Sequence, residues 1–375
     1  MAIDLRNAIE TLDQTSVFEI ANLARPAGDY LFNSVLPDIN METYDIDTGT
    51  MTIRTTMAGL TGMDSNYAEG GAVEESVMSG KTAKLAVRAT LPEKTLRDMQ
   101  QMLQRLASQG TDTIDVIQQN GLNFVDKLIV QSLLDREEWL KGQALVTGEL
   151  DWTFNGKRLQ ANYGIPSGNF LTSRSGNDAY GGSSSKFWTD WYSAQEILNW
   201  QVSAAIIHPT TLKAILANVA VNQLQFVTSN PELGIFQFAR LTTLGGNTII
   251  SSDPRDFVTF FVHNREGEIW DLANPGSTTK VPFMPVGKIL FIGAPVYDST
   301  FLVGEGATEP PVLNTPVRIG YGHVAPTTEG GGVPGRWAQL YVPENAPWSL
   351  AARGCENFLP VIQAPDRVVI ATTSV

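Results

Sequence analysis

Cysteine is almost missing from this chain. Cys355 is the single one in 375 residues, so no intrachain disulfide can form, and a reducing cytosol is the expected place of folding. Histidine is nearly as scarce. His208, His263 and His323 lie far apart in sequence, and a lone Cys with scattered His makes no recognisable metal cluster. Each histidine reads as structural rather than catalytic. Neither G-x-S-x-G nor H-E-x-x-H occurs. No catalytic residue, cofactor or metal is therefore expected, and the chain does not read as an enzyme. Charge is sparse as well: Asp, Glu, Lys and Arg make up 17%, against about a quarter in an average domain. Such a chain should have little free charged surface, and burial against other protein is one explanation. The charges present are mostly acidic, with a net charge of -13, which disfavours nucleic acid as a ligand for the surface as a whole. No run of 18 apolar residues is present, so no membrane span is expected. The start, MAIDLRNAIETLDQ, lacks the basic and apolar regions of a secretory signal.

What remains is a large apolar fraction, 43%, in a chain long enough for two or three substructures. Residues 1–43 read as an arm. Leu5, Ile9, Leu12, Phe18 and Leu23 recur at roughly helical steps, Arg25-Pro26-Ala27-Gly28 breaks the pattern, and YLFNSVLPD gives a short apolar anchor. MTIRTTM (51–57) and KTAKLAVRATL (81–91) alternate with period two and read as strands. Between them lies a Gly-, Ser- and acid-rich stretch. The whole of 44–91 therefore reads as a long hairpin with an acidic tip, and a lone hairpin needs a neighbour to be stable.

A first helix is expected from Pro92. A second runs from about Thr113 to Val146, with Ile114, Ile117, Phe124, Leu128, Ile129, Leu133, Leu140 and Ala144 as its apolar face and Gly148 as its C-cap. At 1.5 Å per residue it would be about 50 Å long. Asn155-Gly156, flanked by DWTF and KRLQ, is the favoured pair for a two-residue type I′ hairpin. SGNFLTSRSGNDAYGGSSSK reads as a loop and FWTDWYSAQEIL as a helix. From about Val202, SAAIIHP, NTIISS, DFVTFFVHN and KILFIGAPV are β-rich runs around the helix PTTLKAILANVA, which suggests a compact α/β domain. LPVIQAPDRVVIATTSV closes the chain as an apolar strand.

Other candidate signals have plain readings. Gly80-Lys81-Thr82 mimics the end of a phosphate-binding loop, but Glu75 stands where glycine is needed and a strand follows. Asp45-Ile46-Asp47-Thr48-Gly49 lacks the later acidic ligands of a calcium loop. Glu137 and Glu138 are adjacent on a helix, point apart, and suit a solvated face. GYGHVAPTTEGGGVPGRW looks like a mobile loop, with Arg336 too isolated for phosphate binding.

The order of segments, together with YLFNSVLPD, REEWLKGQALVTGELDW, PVGKILFIG and ENFLPVIQAPDRVVIATTSV, resembles the major capsid proteins of tailed bacteriophages, particularly the lambda-like coat protein E family. Asn162-Tyr163-Gly164, where an Asp-Phe-Gly-like pattern would be expected, leaves the subfamily open. The resemblance implies an α+β tailed-phage capsid fold with an N-terminal arm (1–43), an extended hairpin loop (44–91), a peripheral domain with a long spine helix (92–202 and 340–375) and an axial α/β domain (203–339). The final strand, 365–373, could then pair on the sheet beside the Asn155-Gly156 hairpin.

The implied function is self-assembly as hexamers and pentamers into an icosahedral shell around packaged double-stranded DNA, without sequence-specific contacts. Scaffold, portal and decoration proteins would be partners, the host cytoplasm the site of assembly, procapsid maturation a later step, and the virion the destination. Arg54, Lys84 and Arg88 on the hairpin strands, with Asp64, Glu69, Glu74 and Glu75 near its tip, are the candidate inter-subunit contacts. A cargo-holding nanocompartment shell would share the fold. A tail or other virion protein would favour all-β patterning, and an acidic α/β hydrolase would need a catalytic set that the sequence does not display.

Overall fold

The computed structural model describes residues 30–54, 72–91, 120–154, 157–231, 234–244, 247–270, 277–294, 300–302, 318–342 and 349–375, with positions 17, 21, 93–95, 97, 98, 101 and 105. Two sheets and one long helix organise them.

The apolar runs near Val202 and the C-terminus show no alternation, and the larger sheet explains why. It has seven strands: β7 (Val202–Ile207), β8 (Leu224–Asn230), β9 (Ile235–Leu244), β10 (Asn247–Ile250), β11 (Phe257–Val262), β14 (Lys288–Gly293) and β19 (Val368–Thr372). The order is β10-β9-β11-β7-β14-β19, with β8 also paired to β9. Successive residues of its central strands enter different cores. Ala205, Ile207, Ile289, Phe291, Val369 and Ala371 pack with the helix α3 (Phe187–Ile197) and the helix α4 (Pro209–Ala217). Ala204, Ile206, Leu290, Ile292, Val368 and Ile370 pack in a second core shared with the long helix. A sheet covered on both faces needs apolar residues at every position.

The smaller sheet is built on the 13-residue strand β18 (Leu350–Ile362). It pairs antiparallel with β4 (Ala83–Leu91) over 350–358, with β17 (Trp337–Tyr341) over 351–355 and with β16 (Gly320–Ala325) over 357–362. β1 (Asp38–Asn40) adds in parallel to β16.

Helix runs from 120 through 147, ending as α2 (Gln131–Thr147). Gly148, at φ 73°, caps it as expected, donating to the Ala144 carbonyl at 3.0 Å. One turn, Asp126–Val130, is widened, with the Gln131 N–H bonded to the Asp126 carbonyl. The extra residue shifts the helical phase. That accounts for a misplaced residue: Leu128, assigned to the apolar face, is exposed, whereas Ile129, Leu133, Leu140 and Ala144 are buried. Ile114 and Ile117 lie outside the described residues.

The long helix sits close on β18 because Gly354 has no side chain. A Cβ there would collide with the Ile129 side chain. Gly354→Val is expected to push the helix off the sheet and cost about 1–3 kcal/mol. An unchanged urea midpoint for that variant would show that the contact has slack.

Several local expectations change. KTAKLAVRATL does form a strand, but β4 pairs with β18 rather than with residues 51–57. The hairpin is shorter: β2 (Asp45–Arg54) pairs with β3 (Ala72–Lys81), and β15 (Thr300–Leu302) joins β2. Alternation identified the strands, but their partners depend on contacts distant in sequence. GYGHVA is no loop but a wholly buried strand, β16, shielded by β18 and β1 on its two edges. The C-terminal run is two strands, broken by a turn at Pro365–Arg367. The last strand, β19, pairs with β14, not beside the small hairpin. The loop at 167–186 is irregular as composition suggested, yet it is tied to β19 by bridges Phe170 to Ile370 and Arg174 to Thr373.

β5 (Glu149–Phe154) and β6 (Lys157–Asn162) form their own two-stranded sheet, with Phe154 opposite Lys157. That register leaves two residues for the loop, as the Asn-Gly pair requires. Asn155 and Gly156 themselves lie outside the described residues.

Candidate functional site

The densest polar cluster joins three parts of the chain. The apolar anchor read from the sequence becomes the short helix α1 (Leu31–Val35), followed by β1. Its Phe32 fits against Gly142 of α2, where a Cβ would come within 2.7 Å of the ring. This contact sets residues 30–40 along α2 and brings Asp38 over it. Lys141, 1% exposed, donates to Asp38 Oδ1 at 2.6 Å and to Asn33 Oδ1 at 2.8 Å. Arg336 binds Glu137 in a two-point fork, Nε to Oε1 at 2.7 Å and Nη2 to Oε2 at 2.6 Å, and reaches Asp38 Oδ2 at 3.0 Å. Glu356 of β18 completes the cluster, with Oε2 at 3.1 Å from Arg336 Nε.

Three carboxylates thus face two cations. Burial, then the Glu137 charge, pushes Glu356 well above the usual carboxylate range. As a neutral acid it can donate its proton to Glu137, which neutralises the cluster. Burial opposes ionisation of Glu137 too, but Arg336 and the Glu356 hydrogen bond outweigh it and hold Glu137 at about 2. Burial and the Glu137 charge raise Asp38 to about 6, against the pull of Lys141 and Arg336.

A neighbouring cluster repeats the theme. His263 Nδ1 accepts from the Arg265 N–H at 3.4 Å, so Nε2 carries the proton and donates to Glu138 Oε1 at 3.0 Å. The Phe32 N–H donates to the same oxygen at 2.8 Å. Arg265 binds Asp135 and lies over the Tyr30 ring at 4.1 Å. Glu137 and Glu138 do point apart, but each meets its own buried partner. The solvated-face reading is therefore wrong, because α2 near its C-terminal end is covered on nearly every side. Arg336 does lie in the loop before β17, but it is buried and bound by carboxylates, leaving nothing for a phosphate. No local pattern marks it in the sequence, where it is a lone charge between a Gly-Pro run and an apolar strand.

The other two histidines bond to backbone groups. His208 accepts from the Thr210 N–H and caps α4, while His323 Nε2 donates to the Thr43 carbonyl. Cys355 is a buried free thiol. Among the described residues no group of His, Cys, Asp and Glu has the geometry to hold a metal ion, and no helix is long and apolar enough to cross a membrane.

The residues expected at subunit contacts do not share one hairpin. Arg54, Glu74 and Glu75 lie on the β2–β3 ribbon, opposite Ala72, Thr52 and Met51. Asp64 and Glu69 fall outside the described residues. Lys84 and Arg88 belong to β4, opposite Asn357 and Arg353. Lys84 pairs with Glu329 of the same chain, and Arg88 lies 6.0 Å over the Tyr341 ring. The sequence reading passed over another exposed surface. Phe226 and Val227 on β8, and Ile249 and Ile250 on the edge strand β10, are large apolar side chains left exposed.

The architecture has a counterpart among solved structures. A protein assigned as a prophage capsid protein in E. coli CFT073 superposes with a TM-score of 0.54 over 97% of this chain and 99% of its own, at 11% identity. The chain has the fold of a phage capsid protein. Two further structures align at lower scores: a phage-related protein from Bordetella bronchiseptica RB50 (TM-score 0.49, 11% identity, 96% and 97% covered) and the holo-SrpI encapsulin complex from Synechococcus elongatus PCC 7942 (0.42, 11%, 96% and 95%). No family model and no curated protein matches the sequence. The capsid fold gives the charge clusters a setting: they lie where residues 30–40, α2 and the β18 sheet of that fold meet.

Proposed function

We propose that this chain is a major capsid protein, assembling as hexamers and pentamers into an icosahedral shell around packaged double-stranded DNA. The observation that carries this reading is the capsid-fold likeness, which runs over nearly the full length of both chains. In this reading residues 1–43 are the arm, the β2–β3 ribbon is the core of the extended loop, α2 is the spine of the peripheral domain, and the seven-stranded sheet is the axial domain, which takes β19 from the 340–375 stretch otherwise assigned to the peripheral domain. Arg54, Asp64, Glu69, Glu74, Glu75, Lys84 and Arg88 remain the proposed inter-subunit contacts. The net charge of -13 suits a container wall that holds DNA without adhering to it. Scaffold, portal and decoration proteins are the proposed partners, the host cytoplasm the site of assembly, and the virion the final location.

Electron microscopy of the purified chain in negative stain tests this directly. Closed shells are the expected result, and isolated globules at high protein concentration would sink the reading. The contents of shells from the native source separate its two forms: nuclease-protected DNA supports a virus capsid, and a packed protein cargo would replace it with a nanocompartment.

A further inference from the structure

Arg136, on the α2 turn before Trp139, has no polar side-chain partner among the described residues. Arg174, Arg265 and Arg336 each hold a carboxylate, and Arg240, which also lies over the Trp188 and Tyr192 rings, donates to the Tyr192 hydroxyl. Arg136 is half-buried and meets aromatic faces instead. Its guanidinium carbon lies 5.1 Å from the Trp139 ring centroid and 4.7 Å from that of Trp152 on β5. The two indoles meet edge to face, 6.0 Å apart. Beside them, the buried Trp139 Nε1–H has no acceptor among the described residues. Among the described residues no opposite charge lies near it, and burial lowers the affinity of Arg136 for its proton.

A guanidinium removed from water without an anion is costly, and cation–π contact offsets only part of that cost. Its planar fork matches a carboxylate at two points. Arg and Trp are also the residues most enriched where single side chains dominate an interface. The charge balance of the chain points to the occupant. With 39 Asp plus Glu against 26 Lys plus Arg, another copy of this chain presents carboxylates in excess.

We propose that Arg136, Trp139 and Trp152 form a socket that receives a carboxylate side chain from a second copy of this chain. The inference rests on the shell reading and deepens it by assigning a contact on the long helix. Occupation would satisfy the guanidinium, and a closed assembly would repeat the gain at every subunit.

The test uses full-length Arg136→Lys, prepared with natural nitrogen and with 15N, mixed before assembly. A water-soluble carbodiimide then joins amines to carboxylates in contact, with loss of water and no spacer. Mass spectrometry is expected to find residue 136 linked to an Asp or Glu in peptides of mixed isotope. Links of a single isotope, or none at 136 in assembled shells, would overturn the proposal while leaving the shell reading intact. If the wild-type chain forms no assembly at all, both fall. Arg136→Gln supplies a second readout. Shell yield is expected to drop about tenfold or more, with the melting temperature of the unassembled chain unchanged. A lower melting temperature with normal shell yield would make Arg136 a clamp within the subunit and overturn the proposal.

Discussion

Arg336→Met is expected to destabilise the chain by about 3–5 kcal/mol, the usual cost of removing one partner from a buried ion cluster. The side chain is 8% exposed and is the direct partner of Glu137 and Asp38. Without it, two buried carboxylates share Lys141 alone. Methionine fills much of the same volume, so the loss would be electrostatic rather than a cavity effect. Urea unfolding followed by circular dichroism measures it. A loss below about 1 kcal/mol would mean that water already reaches the cluster. The consequence extends beyond stability, because Arg336 is one of the groups holding residues 30–40 to α2. Limited proteolysis of the variant should therefore cut first near Asp38.

Glu356→Gln should act in the opposite direction and stabilise the chain at neutral pH. Glu356 is fully buried, and burial with the Glu137 charge keeps it protonated. Its folded pKa therefore lies above the ordinary value of 4.5. Above that value the unfolded chain releases the proton while the folded chain keeps it, so wild-type stability falls as pH rises. The slope is about 1.4 kcal/mol per pH unit until the folded group itself ionises. Glutamine has the same shape, can still donate to Glu137, and does not titrate. The variant should match the wild type near pH 4 and exceed it increasingly toward pH 7. Paired melting curves across that range check it, and a variant less stable at pH 7 would show that Glu356 is needed as a charge.

The capsid fold placed these clusters where no local pattern could reveal them. Lys141 and Asp38 are 103 residues apart, and Arg336 and Glu137 are 199 apart. A lone arginine in a Gly-Pro run and two adjacent glutamates carry no spacing signal. On a helix read alone, the glutamates belong in water. Only the packing of α1, β4 and β18 against α2 excludes that water and makes each charge depend on another.

By itself the sequence determined the local elements: the Gly148 cap, the proline-started α4, the short anchor at Leu31–Val35, and strands wherever apolar residues alternated or ran together. These follow from backbone preferences and from periodicity, which act within a few residues. The tertiary structure decided what each element faces. It gave β4 to β18 instead of to the hairpin, moved β19 into the seven-stranded sheet, turned a glycine-rich loop into buried β16, and rotated Leu128 outward past a widened turn. Strand pairing and charge burial depend on the surface that arrives from elsewhere in the chain, and the same alternating strand can satisfy its edge hydrogen bonds with more than one neighbour.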